Sequence, residues 1–119
     1  MKKAILFILI SMLLFTGCSK KEEQIDYPIY EGTVVYKEVS HDKYRFLMLQ
    51  NISKEDLENG NLEKFVELGQ DQETAYYYLD KENFDSIEVG QKVRVTADIN
   101  QNDSYPPLRS ALKIEKINE

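Results

Sequence analysis

Apolar and polar positions divide this chain into stretches of different texture. Every residue from Ala4 to Ile10 and from Met12 to Phe15 is apolar, with Lys2 and Lys3 in front and Ser19-Lys20-Lys21-Glu22-Glu23 behind. A charged start, a short greasy segment and small residues before a polar boundary form the grammar of a secretory signal. The run falls short of the roughly 20 apolar residues that cross a bilayer, so a stable membrane span is the weaker reading. Beyond Tyr30 the pattern turns to short β-branched and aromatic runs separated by polar turns. One segment, between Ser53 and Gly69, instead repeats its apolar residues at helical spacing.

Five strands are predicted. Tyr30 to Val39 is rich in β-branched and aromatic residues, with Val34 and Tyr36 expected on one face and Val35 and Val39 on the other. Ser40-His41-Asp42-Lys43 is a polar turn into a second strand, Tyr44 to Gln50, which carries bulk on both faces; the two are expected to pair as a hairpin. Ala75 to Leu79 forms the third strand. Val93, Val95, Ala97 and Ile99 alternate with Arg94, Thr96 and Asp98 in the fourth, the cleanest half-buried pattern in the chain. The fifth runs from Ser110 to Ile117, with Leu112 and Ile114 expected inward. Between strands two and three, Ser53 and Asp56 have capping-box spacing. Leu57, Leu62, Phe65, Val66 and Leu68 then form an apolar stripe, interrupted by Asn59-Gly60-Asn61. The expected fold is mostly β: a small five-stranded OB-like barrel with one short helical insert, preceded by a lipoprotein signal helix.

Charge narrows the partners. The chain carries 15 basic and 21 acidic residues, and losing Lys2 and Lys3 with a signal moves its net charge from −6 to −8. An acidic surface repels phosphate backbones, which excludes non-specific nucleic-acid binding. It is also repelled by anionic headgroups, so any membrane attachment has to come from something other than a basic patch.

That attachment is read from Leu14-Phe15-Thr16-Gly17-Cys18, which resembles a lipobox, the cleavage and lipidation signal of bacterial lipoproteins. Cys18 is the only cysteine, so no disulfide can form within one chain. A diacylglyceryl group on its thiol would anchor the chain, each buried CH₂ contributing about 0.8 kcal/mol. The expected organisation is a signal peptide over residues 1–17, a charged lipidated tether over 18–28, and an OB-like domain over 29–119. This places the protein on the extracytoplasmic face of a cell membrane.

A family resemblance rests on three stretches: Glu31 to Val35 (EGTVV), Val89 to Val95 (VGQKVRV) and Asn102 to Ile117 (NDSYPPLRSALKIEKI). Together with the lipobox they resemble the YobA-like small lipoproteins of Gram-positive bacteria, a family carrying a domain of unknown function. Its acidic-Ser-Tyr-Pro motif is matched here by Asp103-Ser104-Tyr105-Pro106. The resemblance implies the fold and the anchor, and no activity, cofactor or catalytic residue.

Candidate chemistry is sparse. His41 is the only histidine and lies in a predicted turn, without the partners that catalysis or zinc demands. Asp98 to Asp103 begins like a calcium loop, but Asp103 and Arg109 stand where a helix-loop-helix site needs Gly and Glu. No catalytic residue, metal ligand or cofactor is assigned, and an enzyme is not expected. The sharpest lead is aromatic. With Leu47, Leu49, Ala75, Tyr77 and Leu79 placed inside, Tyr44, Phe46, Met48, Tyr76 and Tyr78 would share an exposed face. On OB-like barrels the outer face of strands two and three takes ligands. The alternative is that Leu62, Phe65 and Val66 of the insert cover that face. Tyr105, stiffened by Pro106 and Pro107, is a further candidate contact. The expected role is a non-enzymatic binding module for a protein or an envelope glycan. The alternative is a divalent-cation-responsive structural protein using residues 98–103.

Overall fold

A computed structural model describes residues 25–117; the expected signal peptide, Cys18 and the first part of the tether lie outside them. Five strands form one closed sheet: β1 (Ile29–Ser40), β2 (Lys43–Leu49), β3 (Thr74–Leu79), β4 (Lys92–Asn102) and β5 (Leu108–Lys116). Their order around the barrel is β1-β2-β3-β5-β4, closing on β1. Every pairing is antiparallel except β3 with β5. This is the OB-like barrel expected from the sequence.

β1 is long enough to serve two neighbours. Its first residues, Ile29 to Thr33, pair with β4, and Thr33 to Ser40 pair with β2. Gly32 sits where the strand passes from one partner to the other, and a Cβ there would drive into the Leu49 carbonyl and the Met48 side chain. A glycine within a strand often marks such a close backbone approach. Gly32→Ala is therefore expected to destabilise the domain by about 1–3 kcal/mol, the usual cost of overpacking. A urea melt would show it as a lower midpoint at unchanged slope.

The register shifts at three places: in β1, in β5, and in β4 between Ala97 and Gln101. Val34 pairs with Met48 and Tyr36 with Leu47, leaving Val35 as the extra residue. Val34 therefore points into the barrel, while Val35 and Tyr36 both pack on its outer side. The grouping of Val34 with Tyr36 expected from strict alternation is corrected accordingly. In β5, Lys113 faces Thr96 and Ala111 faces Ala97, so Leu112 is the extra residue. Ala111 and Ile114 pack inward and Leu112 is left 51% exposed, the reverse of its expected placement.

The barrel interior holds Val34, Phe46, Met48, Ala75, Tyr77, Ile87, Val93, Val95 and Ala97. The helical turn after β3 closes the hairpin end, with Phe84 against Tyr44 (5.2 Å between ring centroids) and Lys37 Nζ 4.3 Å over the Phe84 ring. Lys37 also donates to the Ile87 carbonyl at 2.7 Å. The opposite end is closed by Arg109, which is only 7% exposed. Its guanidinium donates to the Tyr77 hydroxyl, pairs with Glu73 and bonds Gln101, each at 2.8 Å, and lies 4.0 Å over the Tyr30 ring.

A second apolar layer lies outside the barrel. The insert is two helices, α1 (Lys54–Asn59) and α2 (Leu62–Leu68), followed by a 3₁₀ turn at Gly69–Asp71. Ser53 Oγ accepts from the Asp56 amide at 3.0 Å, as the capping pattern predicted. Asn61 caps the second helix, so Gly60-Asn61 splits the insert into two pieces. Phe65, with Leu57, Leu62, Val66 and Leu68, packs onto Val35, Leu47, Leu49 and Tyr76. The connection after β3 forms a helix too, α3 (Lys81–Ser86), capped by Asp80. The helical content is thus larger than the one short insert expected.

Candidate ligand-binding face

The hairpin positions the face. Its turn is His41-Asp42, both in the left-handed region (φ 51° and 65°). Positive φ at both central residues is the geometry whose twist matches that of paired strands. This turn brings Ser40 opposite Lys43 and Glu38 opposite Arg45. Arg45 in turn faces Tyr78, and Tyr78 faces Ser110 across the parallel pair. Glu38, Arg45, Tyr78 and Ser110 thus form one row across four strands, on the outside of the barrel. The next row inward, Tyr36, Leu47, Tyr76 and Leu108, belongs to the layer under the insert. The insert covers half of the outer face and leaves the hairpin half open.

Arg45 organises the open half. Its Nε donates to Glu38 Oε2 at 2.7 Å, and its guanidinium lies 3.9 Å over the Tyr76 ring. Partial burial works against its charge, but the Glu38 carboxylate outweighs that and raises the Arg45 pKa. Lys43 Nζ sits 5.8 Å above the Tyr78 ring. Tyr78 stands between two hollows. One, of about 240 Å³, is lined by Ser40, His41, Lys43, Arg45 and Tyr78. The other, of about 460 Å³, runs past Asp42, Lys43, Tyr44 and Tyr78 to Asp80, Lys81 and Ser110. An aromatic ring flanked by two cations and a hydroxyl can stack on a flat or pyranose ring while the cations meet an anion beside it.

The five aromatic residues expected to bind are not assembled together. Tyr78 lies on the open face. Tyr44 reaches its rim, with its ring turned to Phe84 at the barrel end. Tyr76 is buried beneath Arg45 and against the insert. Phe46 is 0% exposed, inside the barrel and stacked on Tyr77 at 5.4 Å; its expected exposure is corrected. The reason is register: β2 and β3 pair so that Phe46 faces Tyr77 and Leu47 faces Tyr76. Phe46 and Met48 therefore go inside with Ala75 and Tyr77, and Leu47 and Leu49 go outside. Tyr105 is 49% exposed on the β4–β5 loop, and its hydroxyl donates to the Val66 carbonyl at 2.6 Å, tying that loop to α2. Arg45, Glu38 and Lys43 were not singled out from the sequence; once the β2–β3 register is known, their parity with Tyr78 identifies them.

The acidic stretch 98–103 takes a different form from a loop. β4 continues to Asn102, Asp98 Oδ1 accepts from the Asn100 amide at 3.2 Å, and Asn102 Oδ1 accepts from the Ser104 amide at 3.0 Å. Among the described residues, no three His, Cys, Asp or Glu side chains converge on a point.

Tyrosines make the protein sensitive to alkali. Burial raises the pKa of Tyr77 most, with Arg109 opposing, and burial likewise raises those of Tyr76 and Tyr105. A folded-state pKa above the unfolded one contributes stability that is complete below the unfolded value of about 10. It is lost as the pH climbs through the folded values. Ionisation of Tyr77 and Tyr76 is therefore expected only above the ordinary tyrosine range. It should coincide with unfolding read by circular dichroism; ionisation of these two rings at the ordinary value of about 10, with the fold intact, would contradict it.

This fold defines a small OB-like β-barrel domain whose outer face is half covered by a helical insert. The chain belongs to the family described as Protein of unknown function (DUF3221), which it matches over residues 31–118. Among solved structures it is similar to the crystal structure of a YobA protein from Bacillus subtilis subsp. subtilis str. 168, with a TM-score of 0.63 and 19% identity, covering 81% of this chain and 100% of that one. It is also similar to the NMR solution structure of Bacillus subtilis YobA 21-120, with a TM-score of 0.58 and 21% identity, over 84% of this chain and 93% of that one. At these identities the likeness establishes the fold. No curated protein matches the chain.

Proposed function

We propose that this protein is a lipid-anchored extracytoplasmic lipoprotein whose barrel is a non-enzymatic binding module, taking an envelope glycan or a protein segment on its outer face. The observation that carries the binding role is the open row at the hairpin end. There Tyr78 stands between two hollows, with Lys43 above its ring and Arg45 beside it. The residues lining it hold one another by ion pairing and stacking, an arrangement suited to recognition. The anchor rests on Leu14 to Cys18 and the charged segment after them.

Of the two ligand classes the face favours a glycan with anionic groups, because a ring platform and cations lie side by side. Purified wall polymers, neutral and anionic, titrated into the protein are expected to raise its melting temperature. At 100 times the dissociation constant the gain is about 2.7 kcal/mol. Tyr78→Ala should abolish that gain while leaving the unliganded melt nearly unchanged. A shift that survives in Tyr78→Ala, or none with any polymer or envelope protein, overturns the assignment. For the anchor, Cys18→Ser is expected to move the protein from the membrane fraction to the soluble one.

A further inference from the structure

The two hollows beside Tyr78 differ in the chemistry of their walls. Ser40, His41, Lys43, Arg45 and Tyr78 line the smaller one, of about 240 Å³, and no carboxylate is among them. The larger one, of about 460 Å³, brings in Asp42, Asp80 and the Ser110 hydroxyl. Its other lysine, Lys81, is paired with Asp85 at 2.8 Å. One hollow therefore offers donors and the other offers carboxylate acceptors, with Tyr78 and Lys43 common to both. Donors of the smaller hollow have capacity to spare. Arg45 gives Nε and Nη2 to Glu38, and Nη1 takes no part in that pair. Ser40 Oγ lies 3.1 Å from His41 Nδ1; when that nitrogen accepts, Nε2 carries the proton and can donate. Lys43 Nζ is 5.8 Å from the centre of the Tyr78 ring, at the outer limit of a cation–π contact, so an anion can draw it away at little cost. Glu38 balances the charge of Arg45, which leaves Lys43 to supply the net positive charge.

Hydroxyl, imidazole, ammonium and guanidinium around one hollow suit a tetrahedral oxyanion. A phosphomonoester presents three strong acceptor oxygens, whereas a carboxylate presents two in one plane. The larger hollow asks for the opposite. Ionised carboxylates only accept, so Asp42 and Asp80 take hydrogen bonds from hydroxyl groups and repel a second anion. Asp80 caps α3 through Oδ1, which accepts from the Asn83 amide at 3.0 Å, and Oδ2 is the oxygen left for a ligand. We propose that the Tyr78 face binds a pyranose carrying a single phosphomonoester. The phosphoryl group enters the hollow of Ser40, His41, Lys43 and Arg45, the sugar ring lies on Tyr78, and its hydroxyls meet Asp42 and Asp80. This deepens the glycan-binding reading given above and rests on it.

The test titrates the full chain, held in neutral detergent micelles, with glucose 1-phosphate, glucose, glucuronate and inorganic phosphate, and reads binding by calorimetry. Glucose 1-phosphate is expected to bind about tenfold tighter than glucose or inorganic phosphate, the gain from roughly one charge-assisted hydrogen bond, and severalfold tighter than glucuronate. Lys43→Gln should bring glucose 1-phosphate down to the level of glucose, with glucose itself little changed. Asp42→Asn should act the other way, weakening glucose while inorganic phosphate binds as tightly or more so. Both variants should keep the fold, since Lys43 is exposed and asparagine tolerates the positive φ at position 42. Glucuronate as tight as glucose 1-phosphate, or glucose 1-phosphate binding that ignores Lys43→Gln, overturns the phosphoryl assignment. Inorganic phosphate as tight as glucose 1-phosphate leaves an anion hollow without a sugar and overturns it too. If phosphatidylglycerol added to the micelles displaces glucose 1-phosphate, the hollow belongs to a lipid headgroup and the proposal falls. Wall polymers that raise the melting temperature through Tyr78, while none of these probes binds, overturn this inference and keep the glycan-binding reading. No response to probes or polymers overturns both.

Discussion

Replacing Arg109 by alanine is expected to cost about 3–5 kcal/mol, the range for removing one partner from a buried charged network. For a domain whose whole stability falls around 5–15 kcal/mol, that is a large fraction. The reason is specific. Arg109 closes one end of the barrel, and its guanidinium is held by Tyr77, Glu73 and Gln101 while stacking on Tyr30. Burial disfavours its charge, but the Tyr77 hydroxyl and the Glu73 carboxylate more than compensate and raise its pKa. Without it the buried Tyr77 hydroxyl loses its donor. Among the described residues every buried side-chain polar atom has a partner, so the variant would create an orphan where none exists. Thermal melts should show a fall of roughly 12–40 °C, at about 4–8 °C per kcal/mol for a domain of this size. The double variant Arg109→Met with Tyr77→Phe should recover much of the loss, because it removes both ends of the bond. A double variant as unstable as Arg109→Ala would mean that packing against Tyr30, and not the polar network, is what Arg109 supplies.

Phe46→Ala comes next in size, at about 3–5 kcal/mol for truncating a fully buried aromatic side chain. Phe46 has no exposed surface and stacks on Tyr77 in the centre of the barrel. Tyr78→Ala, one strand away and on the open face, should cost no more than about 1 kcal/mol. Denaturant midpoints of the two variants, measured side by side, separate interior from exterior in β2 and β3. Similar small losses for both would mean that Phe46 lies outside, and the binding face would have to be redrawn around it.

Phe46 also marks where sequence reading stopped working. The strand runs, the hairpin and the capped insert are legible, because each is written in local spacing. Val93, Val95 and Ala97 alternate cleanly and are buried as the alternation requires, whereas Ile99, expected in the same set, is 54% exposed within a register shift between Ala97 and Gln101. Ser53 and Asp56 cap as their spacing implies. Which face of β2 meets which face of β3 is not a local property. More than twenty residues separate the two strands, and a connection of that length leaves register open. Both strands carry bulk on both sides, since one side fills the barrel and the other receives the insert. Composition therefore offered no tiebreak, and Phe46 was grouped with Tyr76 when it belongs with Tyr77. Arg109 was hidden for another reason: a lone arginine in a strand reads as a solvated side chain until the barrel closes around it. The open row of Glu38, Arg45 and Tyr78 became visible only when those registers were in place.

The extra residues at Val35 and Leu112 bear on how such chains can diverge. Removing either one would straighten its strand yet leave every other side chain pointing as it does now, since the surplus residue is the one that duplicates a facing. A single gap elsewhere in β1 or β5 would turn the remainder of the strand inside out. Within β1 and β5, length variation among homologues should therefore gather at these two places, and an alignment that puts it elsewhere in those two strands has mistaken inside for outside.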